Sequence, residues 1–322
     1  MFGLPMKPLL SLLSPGGCRG RLSILIYHRV LARDDPFAPW GIGAEGFTAQ
    51  MAALRNHFNV IPLSEAIARL RSGSLPPRAA AVTFDDGYRD NLTVALPILR
   101  RYGIPATVFV ASGFLDGGRM WNDTVAEALR VADGPFDLTD LDLGRWDLSE
   151  VDHRAAAFHQ LLQRLKYLPQ ARRIDAATVI AERCGADLPT DFMLSSDELR
   201  SLHSAGVEIG GHTKTHPILA GLDDGLALSE IAGNRERLQE IIRAPIPVFA
   251  YPNGRPGRDY TETHVRMVRD CGYVGAVSTS SGTATRNSDL YQLPRFTPWD
   301  VTAGRFALRM ARSMVGGTAA RV

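Results

Sequence analysis

Cysteine is scarce in this chain of 322 residues, with only Cys18, Cys184 and Cys271, and no two share a paired spacing. A disulfide framework and a thiolate metal site are both excluded on that count. Charge of one sign is also lacking, because the formal net charge is only +2. No basic footprint for nucleic acid follows, and that partner is set aside. Long apolar runs are missing too. The segment Pro8-Leu9-Leu10-Ser11-Leu12-Leu13 is short and broken by proline, with only Lys7 as a basic residue before it. It is a poor export signal and too short to cross a bilayer. The expectation is a protein of the cytoplasm or one peripheral to the membrane.

What is present is an ordinary globular composition, 45% hydrophobic and 22% charged, long enough for one large domain or two small ones. Apolar strand-like runs alternate with helical patterns. Leu22–Tyr27, Asn59–Ile61, Ala79–Phe84 and Ala106–Val110 read as strands. Between them, Phe47, Met51 and Leu54 fall on one helical face, Ser64–Leu70 forms a second helix, and Asp90 or Asn91 caps a third that Gly103 and Pro105 stop. From about residue 116 to 191 the alternation is lost. Helices are expected at 121–132, 154–168 and 171–183, with an acidic, irregular stretch at 137–147. Strand and helix then resume. Ser195 and Glu198 form a capping box, and Val207–Gly210, Ile246–Tyr251 and Tyr273–Ser278 read as strands, with helices over 226–243 and from Thr261. Repeated strand–helix units point to a parallel sheet, though the pattern does not say whether it closes.

Two short segments carry the chemistry. Thr83-Phe84-Asp85-Asp86-Gly87 ends a buried strand, and His212-Thr213-Lys214-Thr215-His216 follows another. Functional groups collect where the strands of such sheets end. Two histidines four apart can turn toward one cation, and adjacent carboxylates can divide metal binding from proton transfer. Read alone, Asp85-Asp86-Gly87 is an ordinary turn and a lone histidine is a packing residue; the pairing of the two segments changes that balance.

With these two motifs the chain resembles the polysaccharide deacetylase family, the NodB-homology or carbohydrate esterase family 4 group, from about Ser23 to Trp299. The resemblance implies an α/β fold, an irregular, incomplete (β/α) barrel of about seven units. Its organisation would be an N-terminal extension over 1–20, a catalytic domain over 21–300 with a helical insertion at about 116–191 beside the strand ends, and a C-terminal helix over 301–322. It further implies a divalent metal held by Asp86, His212 and His216, with Asp85 as general base. Mixed nitrogen and oxygen donors with open positions suit zinc first, and cobalt, nickel or manganese also fit. The reaction implied is removal of an N-acetyl group from an acetylated carbohydrate, either an amino-sugar polysaccharide or a lipid-linked glycan precursor.

Two family motifs are altered. Where relatives carry Arg-Pro-Pro-Tyr-Gly, this chain has Ala250-Tyr251-Pro252-Asn253-Gly254. The Asn253 backbone N–H can still serve as an oxyanion donor. The lost arginine would have oriented the base, and Arg295 from another strand is a substitute; an ordinary surface ion pair is the plain alternative for it. The Leu-x-His motif is absent, since no histidine follows His264. Amide cleavage needs a proton for the leaving amine. His28, in a Tyr-His pair that resembles an exopolysaccharide-acting branch, is the candidate for lining the site or supplying that proton. A structural hydrogen-bonding role for His28, and return of the proton by Asp85 or by water, stand beside it. O-acetyl ester cleavage and a catalytically decayed carbohydrate-binding protein are the alternative functions. Arg305, Arg309 and Arg312 line one face of the C-terminal helix; a solvated face is favoured over contact with a membrane surface. Trp121 and Trp146 are aromatic faces that either stack on sugar or pack internally.

Overall fold

In the computed structural model, residues 6–38, 40–315 and 320–322 are described; residues 1–5 of the expected extension and 316–319 of the expected C-terminal helix lie outside them. The chain divides into two compact units, residues 1–33, 40–115 and 194–322 in the first, and 34–39 with 116–193 in the second.

The first unit is built on seven parallel strands. They are β1 (Leu22–Tyr27), β2 (Ala79–Phe84), β3 (Ala106–Val110), β4 (Glu208–Gly211), β5 (Val248–Ala250), β6 (Gly275–Ser281) and β7 (Leu293–Arg295), hydrogen-bonded in that order, with a short strand Asn59–Val60 beside β2. The sheet returns on itself just past β7. Phe296 donates to Ile24 O at 2.7 Å and accepts from Ile26 N at 3.0 Å, which joins β7 to β1. The incomplete seven-unit (β/α) barrel implied by the resemblance is therefore what forms.

Period-two alternation sorts each strand into two faces. Leu22 and Ile24, Ala79 and Ala81, Phe109, Val248 and Ala250, Val277 and Leu293 meet in one apolar cluster across non-neighbouring strands, which makes them the barrel interior. Leu25, Val82, Phe84, Val108, Ile209 and Phe249 belong to the layer under the surrounding helices. The inward series has a polar top. It runs Leu22, Ile24, Ile26 on β1 with His28 just past its end, and Ala79, Ala81, Thr83 on β2 with Asp85 just past its end. On β7 it runs Leu293, Arg295, and on β4 it runs Gly210, His212. Gly210 belongs to this series because Phe109 fills its place: a Cβ there would lie 2.4 Å from Phe109 Cδ1. Stacked layers of inward side chains are how such barrels fill, and their carboxyl-terminal rim is where polar groups gather.

Several local expectations change. Residues 137–147 are not irregular: Pro135–Leu138 and Gly144–Asp147 pair as an antiparallel hairpin with an Asp137–Arg145 ion pair across it. Asp90 and Asn91 cap nothing. Asp90 instead accepts from Val30 N and Arg29 Nε, and Asn91 donates to His28 O, so both pin the chain just past β1. Pro8 does not prevent a helix over Met6–Leu13, because it lies in the first turn, where the missing N–H has no partner to lose. The Ser195–Glu198 capping box is present.

The second unit has its own apolar core. Helices Trp121–Val131, Val151–Leu165 and Gln170–Arg183 meet through Val125, Leu129, Phe158, Leu161 and Ile180. Trp121 and Trp146 pack against this core and each carries a guanidinium, from Arg173 and Arg164. The terminal helix Ala303–Val315 buries Phe306, Met310 and Met314 and leaves Arg305 and Arg312 exposed, while Arg309 pairs with Asp300. All three cysteines are free, and among the described residues no helix is long and apolar enough to cross a membrane.

Candidate metal and catalytic centre

The end of β2 places two carboxylates in different directions. Asp85 N–H still donates to Tyr27 O at 2.9 Å, so Asp85 continues the ladder and faces inward. Asp86 then turns to φ +77° and Gly87 to φ +88°, with Ala111 N bonded to Asp86 O at 3.2 Å. Gly87 is required here: besides its left-handed φ, a Cβ would lie 3.0 Å from Val110.

β4 delivers the first histidine. His212 is buried, and its Nδ1 lies 2.7 Å from Ala250 O at the end of β5. A carbonyl can only accept, so Nδ1 carries a proton and Nε2 is the nitrogen left to meet a cation. That Nε2 lies 3.4 Å from Asp86 Oδ1, and His216 Nε2 lies 3.5 Å from the same oxygen. The three ligand atoms all fall within 4.8 Å of one another. Zinc–ligand bonds of about 2.0–2.1 Å at a tetrahedral angle place neighbouring ligand atoms about 3.3 Å apart, close to the 3.4 and 3.5 Å from Asp86 Oδ1 to the two histidines. Asp86 Oδ1 is also buried with no hydrogen-bond partner, a costly state for a carboxylate unless a cation completes it. The residues present thus fit a divalent metal.

Asp85 is held differently. Its two oxygens take a bidentate pair from Arg295, at 2.6 Å from Nη1 and 2.7 Å from Nη2. Arg295 is 2% exposed and also donates to Ser278 O and Thr83 Oγ1. Burial pushes the Asp85 carboxyl up, but the Arg295 charge, with His212 and His28 behind it, outweighs burial and leaves it below its ordinary value. Asp86 follows the same balance: burial raises it, and His212, His216 and His28 together hold it well below the usual range. His212 responds in kind. Burial lowers the imidazole, and Asp85 and Asp86 raise it by more.

The remaining residues of the sequence reading take up these positions. His28 follows β1 at the rim, close enough for its charge to act on both Asp85 and Asp86. Asn253 follows β5 at φ +58°, with its carbonyl fixed by Thr279 Oγ1 at 2.7 Å. Its backbone N–H meets no acceptor among the described residues. His264 is not brought to the centre. It sits in the helix Glu262–Asp270, where its Nδ1 accepts from Thr261 N at 3.0 Å as part of the helix cap. Two residues escaped the sequence reading altogether, Glu230 and Asn234 on the helix Asp224–Ile242, which hold the histidine loop by its backbone. Their signal was a polar pair four apart on a face otherwise made by Ala227, Ile231 and Leu238.

A family model described as polysaccharide deacetylase matches residues 72–139 and 151–276, more than half of the chain. The chain belongs to the polysaccharide deacetylase family. It is accordingly a deacetylase hydrolase of the carbohydrate esterase type. YxkH of Bacillus subtilis, named for the same activity, is 22% identical over 277 residues, which cover 85% of this chain and 70% of that protein. Among solved structures, the deacetylase PplD of Streptococcus pyogenes, in complex with acetate, superposes with a TM-score of 0.60 at 17% identity, covering 91% of this chain and 98% of its own. IcaB from Ammonifex degensii gives 0.60 at 19% identity, covering 92% and 98%. At these identities the two structures speak for the fold.

Proposed function

We propose that this polysaccharide deacetylase is a metal-dependent N-deacetylase of an amino-sugar glycan, polymeric or lipid-linked. The observation that carries the reading is the convergence of His212 Nε2 and His216 Nε2 on a buried Asp86 oxygen that nothing else satisfies. A divalent cation held by these three residues, zinc first by donor type and cobalt, nickel or manganese next, supplies Lewis acidity toward water and the acetyl carbonyl.

The chain's own groups handle the protons. Asp85, kept ionised by Arg295, accepts a proton from the attacking water. The bidentate pair holds both of its oxygens in place, so the base is aimed before substrate arrives. The Asn253 N–H, turned out of the strand direction by its left-handed φ, donates to the oxyanion as the carbonyl carbon becomes tetrahedral. His28 gives a proton to the departing amine nitrogen. PplD, a structural relative, is recorded with acetate, the product such a hydrolysis releases.

A second reading, hydrolysis of an O-acetyl ester, is favoured by one observation: the last histidine of the chain, His264, is committed to a helix cap. An alkoxide leaves far more readily than an amide anion, so an ester needs less help from an acid. The test is acetate release from chitin-type, peptidoglycan-type and exopolysaccharide fragments, each offered with N-acetyl or O-acetyl groups, with metal content measured on the same sample. Metal-dependent release from the N-acetyl set supports the first reading, release confined to the O-acetyl set supports the second, and release unaffected by chelation would sink the metal reading.

A further inference from the structure

The loop that presents His216 is held against its own backbone preference. Thr213 has φ +63° and His216 φ +53°, the left-handed region that L side chains seldom adopt and that a β-branched residue adopts least. Both lie inside one five-residue motif. Such a conformation persists only where the surroundings over-determine it.

Here most of the restraint comes from a single helix, Asp224–Ile242. Asn234 is fully buried. Its Oδ1 accepts from His212 N at 3.0 Å, and the two hydrogens of its Nδ2 are shared among Thr213 O at 2.5 Å, Val110 O at 2.9 Å and Ser112 Oγ at 3.0 Å. One turn earlier, Glu230 Oε2 accepts from Lys214 N at 2.7 Å and from Thr215 N at 2.8 Å, while Oε1 accepts the Thr215 hydroxyl at 2.8 Å. Residues four apart share a helix face, so both side chains reach the same loop. The opposite side is closed by backbone: Ser112 N donates to Thr213 O at 3.3 Å and Gly113 N to Lys214 O at 2.8 Å. Gly113 permits that approach, since a Cβ would lie 2.8 Å from Lys214 O. Neither Glu230 nor Asn234 is itself offered as a ligand or a proton carrier.

We propose that Glu230 and Asn234 are positioning residues for the cation site. Asn234 fixes the backbone at His212, and Glu230 fixes residues 214 and 215, so that the His216 imidazole is aimed before any cation arrives. The inference rests on the proposed metal reading of Asp86, His212 and His216. Partners that orient the ligands of a metal site typically affect affinity about 10–100-fold.

The chemistry of Glu230 separates positioning from general stability. Glu230→Ala removes all three acceptor contacts. Glu230→Gln keeps one oxygen for the two N–H groups, and its amide NH2 can donate to the Thr215 hydroxyl, which is able to reverse its role. The experiment is a Co2+ titration of the full-length protein followed by visible absorption, with the melting temperature of each metal-free variant measured alongside. Wild type and His216→Ala serve as the positive and negative references.

The expected result is Co2+ affinity about 10–100-fold weaker in Glu230→Ala, with an altered absorption band. Glu230→Gln should fall within about threefold of wild type, because its contacts survive. Asn234→Asp, of equal size but unable to donate to Thr213 O and Val110 O, should weaken Co2+ as Glu230→Ala does, or should fail to fold. In the second case the two Glu230 variants, at a half-buried position, decide alone. Wild-type affinity and spectrum in Glu230→Ala would overturn the inference, as would equal loss in the alanine and glutamine variants. A wild-type protein that takes up no Co2+ would overturn the metal reading itself, and this inference with it.

Discussion

Asp86, His212 and His216 come from two short motifs and are shaped by local turns, whereas Asp85, Arg295 and His28 come from the ends of three strands, and Arg295 joins the other two only because the sheet closes. The first set, proposed to hold the cation, depends on left-handed residues at Asp86, Thr213 and His216 and on the braces around them. The second set, proposed to move protons, depends on β7 reaching β1 through Phe296, which sets Arg295 beside a carboxylate 210 residues away in sequence. Two neighbouring carboxylates therefore sit in opposed environments. Asp85 has each oxygen paired to a guanidinium, and Asp86 has an oxygen with no hydrogen-bond donor. A pair of titratable groups with contrasting surroundings is how one site separates two roles.

The sharpest break of that comparison is between Asp85→Asn and His216→Ala. His216→Ala should abolish metal uptake and acetate release together. Asp85→Asn should retain the metal while activity falls by about 10²–10⁴-fold, the usual worth of a positioned base. Metal analysis and turnover on the same preparations check this, and equal metal loss in both variants would show the roles to be assigned wrongly.

Arg295→Met should be the next largest effect. Removing one partner of a buried ion pair typically costs about 3–5 kcal/mol of stability. It also reverses a pH dependence. In the native chain the Asp85 carboxyl is held low, so its contribution is present above the ordinary carboxylate range and lost as pH falls through the lowered value. Without the guanidinium, burial dominates and raises that carboxyl. Its contribution is then present below the ordinary range and lost as pH rises. Urea melts at several pH values read this directly, and the acid limb of acetate release should move to higher pH. An unmoved acid limb would mean that Asp85 is not the base.

His28→Gln should give a smaller and selective loss. Amide cleavage should fall by about 10–100-fold and ester cleavage by less than about threefold, since only the amine leaving group needs the proton. Equal losses on matched N-acetyl and O-acetyl substrates would remove His28 from the acid role. The smallest effect expected is on stability: Gly87→Ala should cost about 1–3 kcal/mol, from its left-handed φ and the contact with Val110, measured by denaturant unfolding.

The two motifs were legible because their chemistry is encoded at short range. A strand that ends in Asp-Asp-Gly and a His-x-x-x-His after another strand announce themselves by spacing. The barrel was legible through its strand–helix rhythm together with the family resemblance. Less could be read wherever the partner lies far off. Asp90 and Asn91 look like helix caps by residue type, yet they are drawn to Arg29, Val30 and His28 across the rim. The hairpin at 135–147 escaped because each strand has only four residues and is largely exposed, so the alternation of Phe136 and Leu138 with Asp137, and of Trp146 with Arg145, is too short to stand out among turn-forming residues. Glu230 and Asn234 escaped because a helix face gives no sign of which loop it will meet.

The most direct measurement is a crystal of the protein grown with Co2+ and examined by anomalous scattering at the cobalt edge. The account predicts a single strong peak bonded to Asp86 Oδ1, His212 Nε2 and His216 Nε2, with Asp85 still paired to Arg295. No peak at that point, or a cation bound instead by Asp85 with Arg295 displaced, would contradict it.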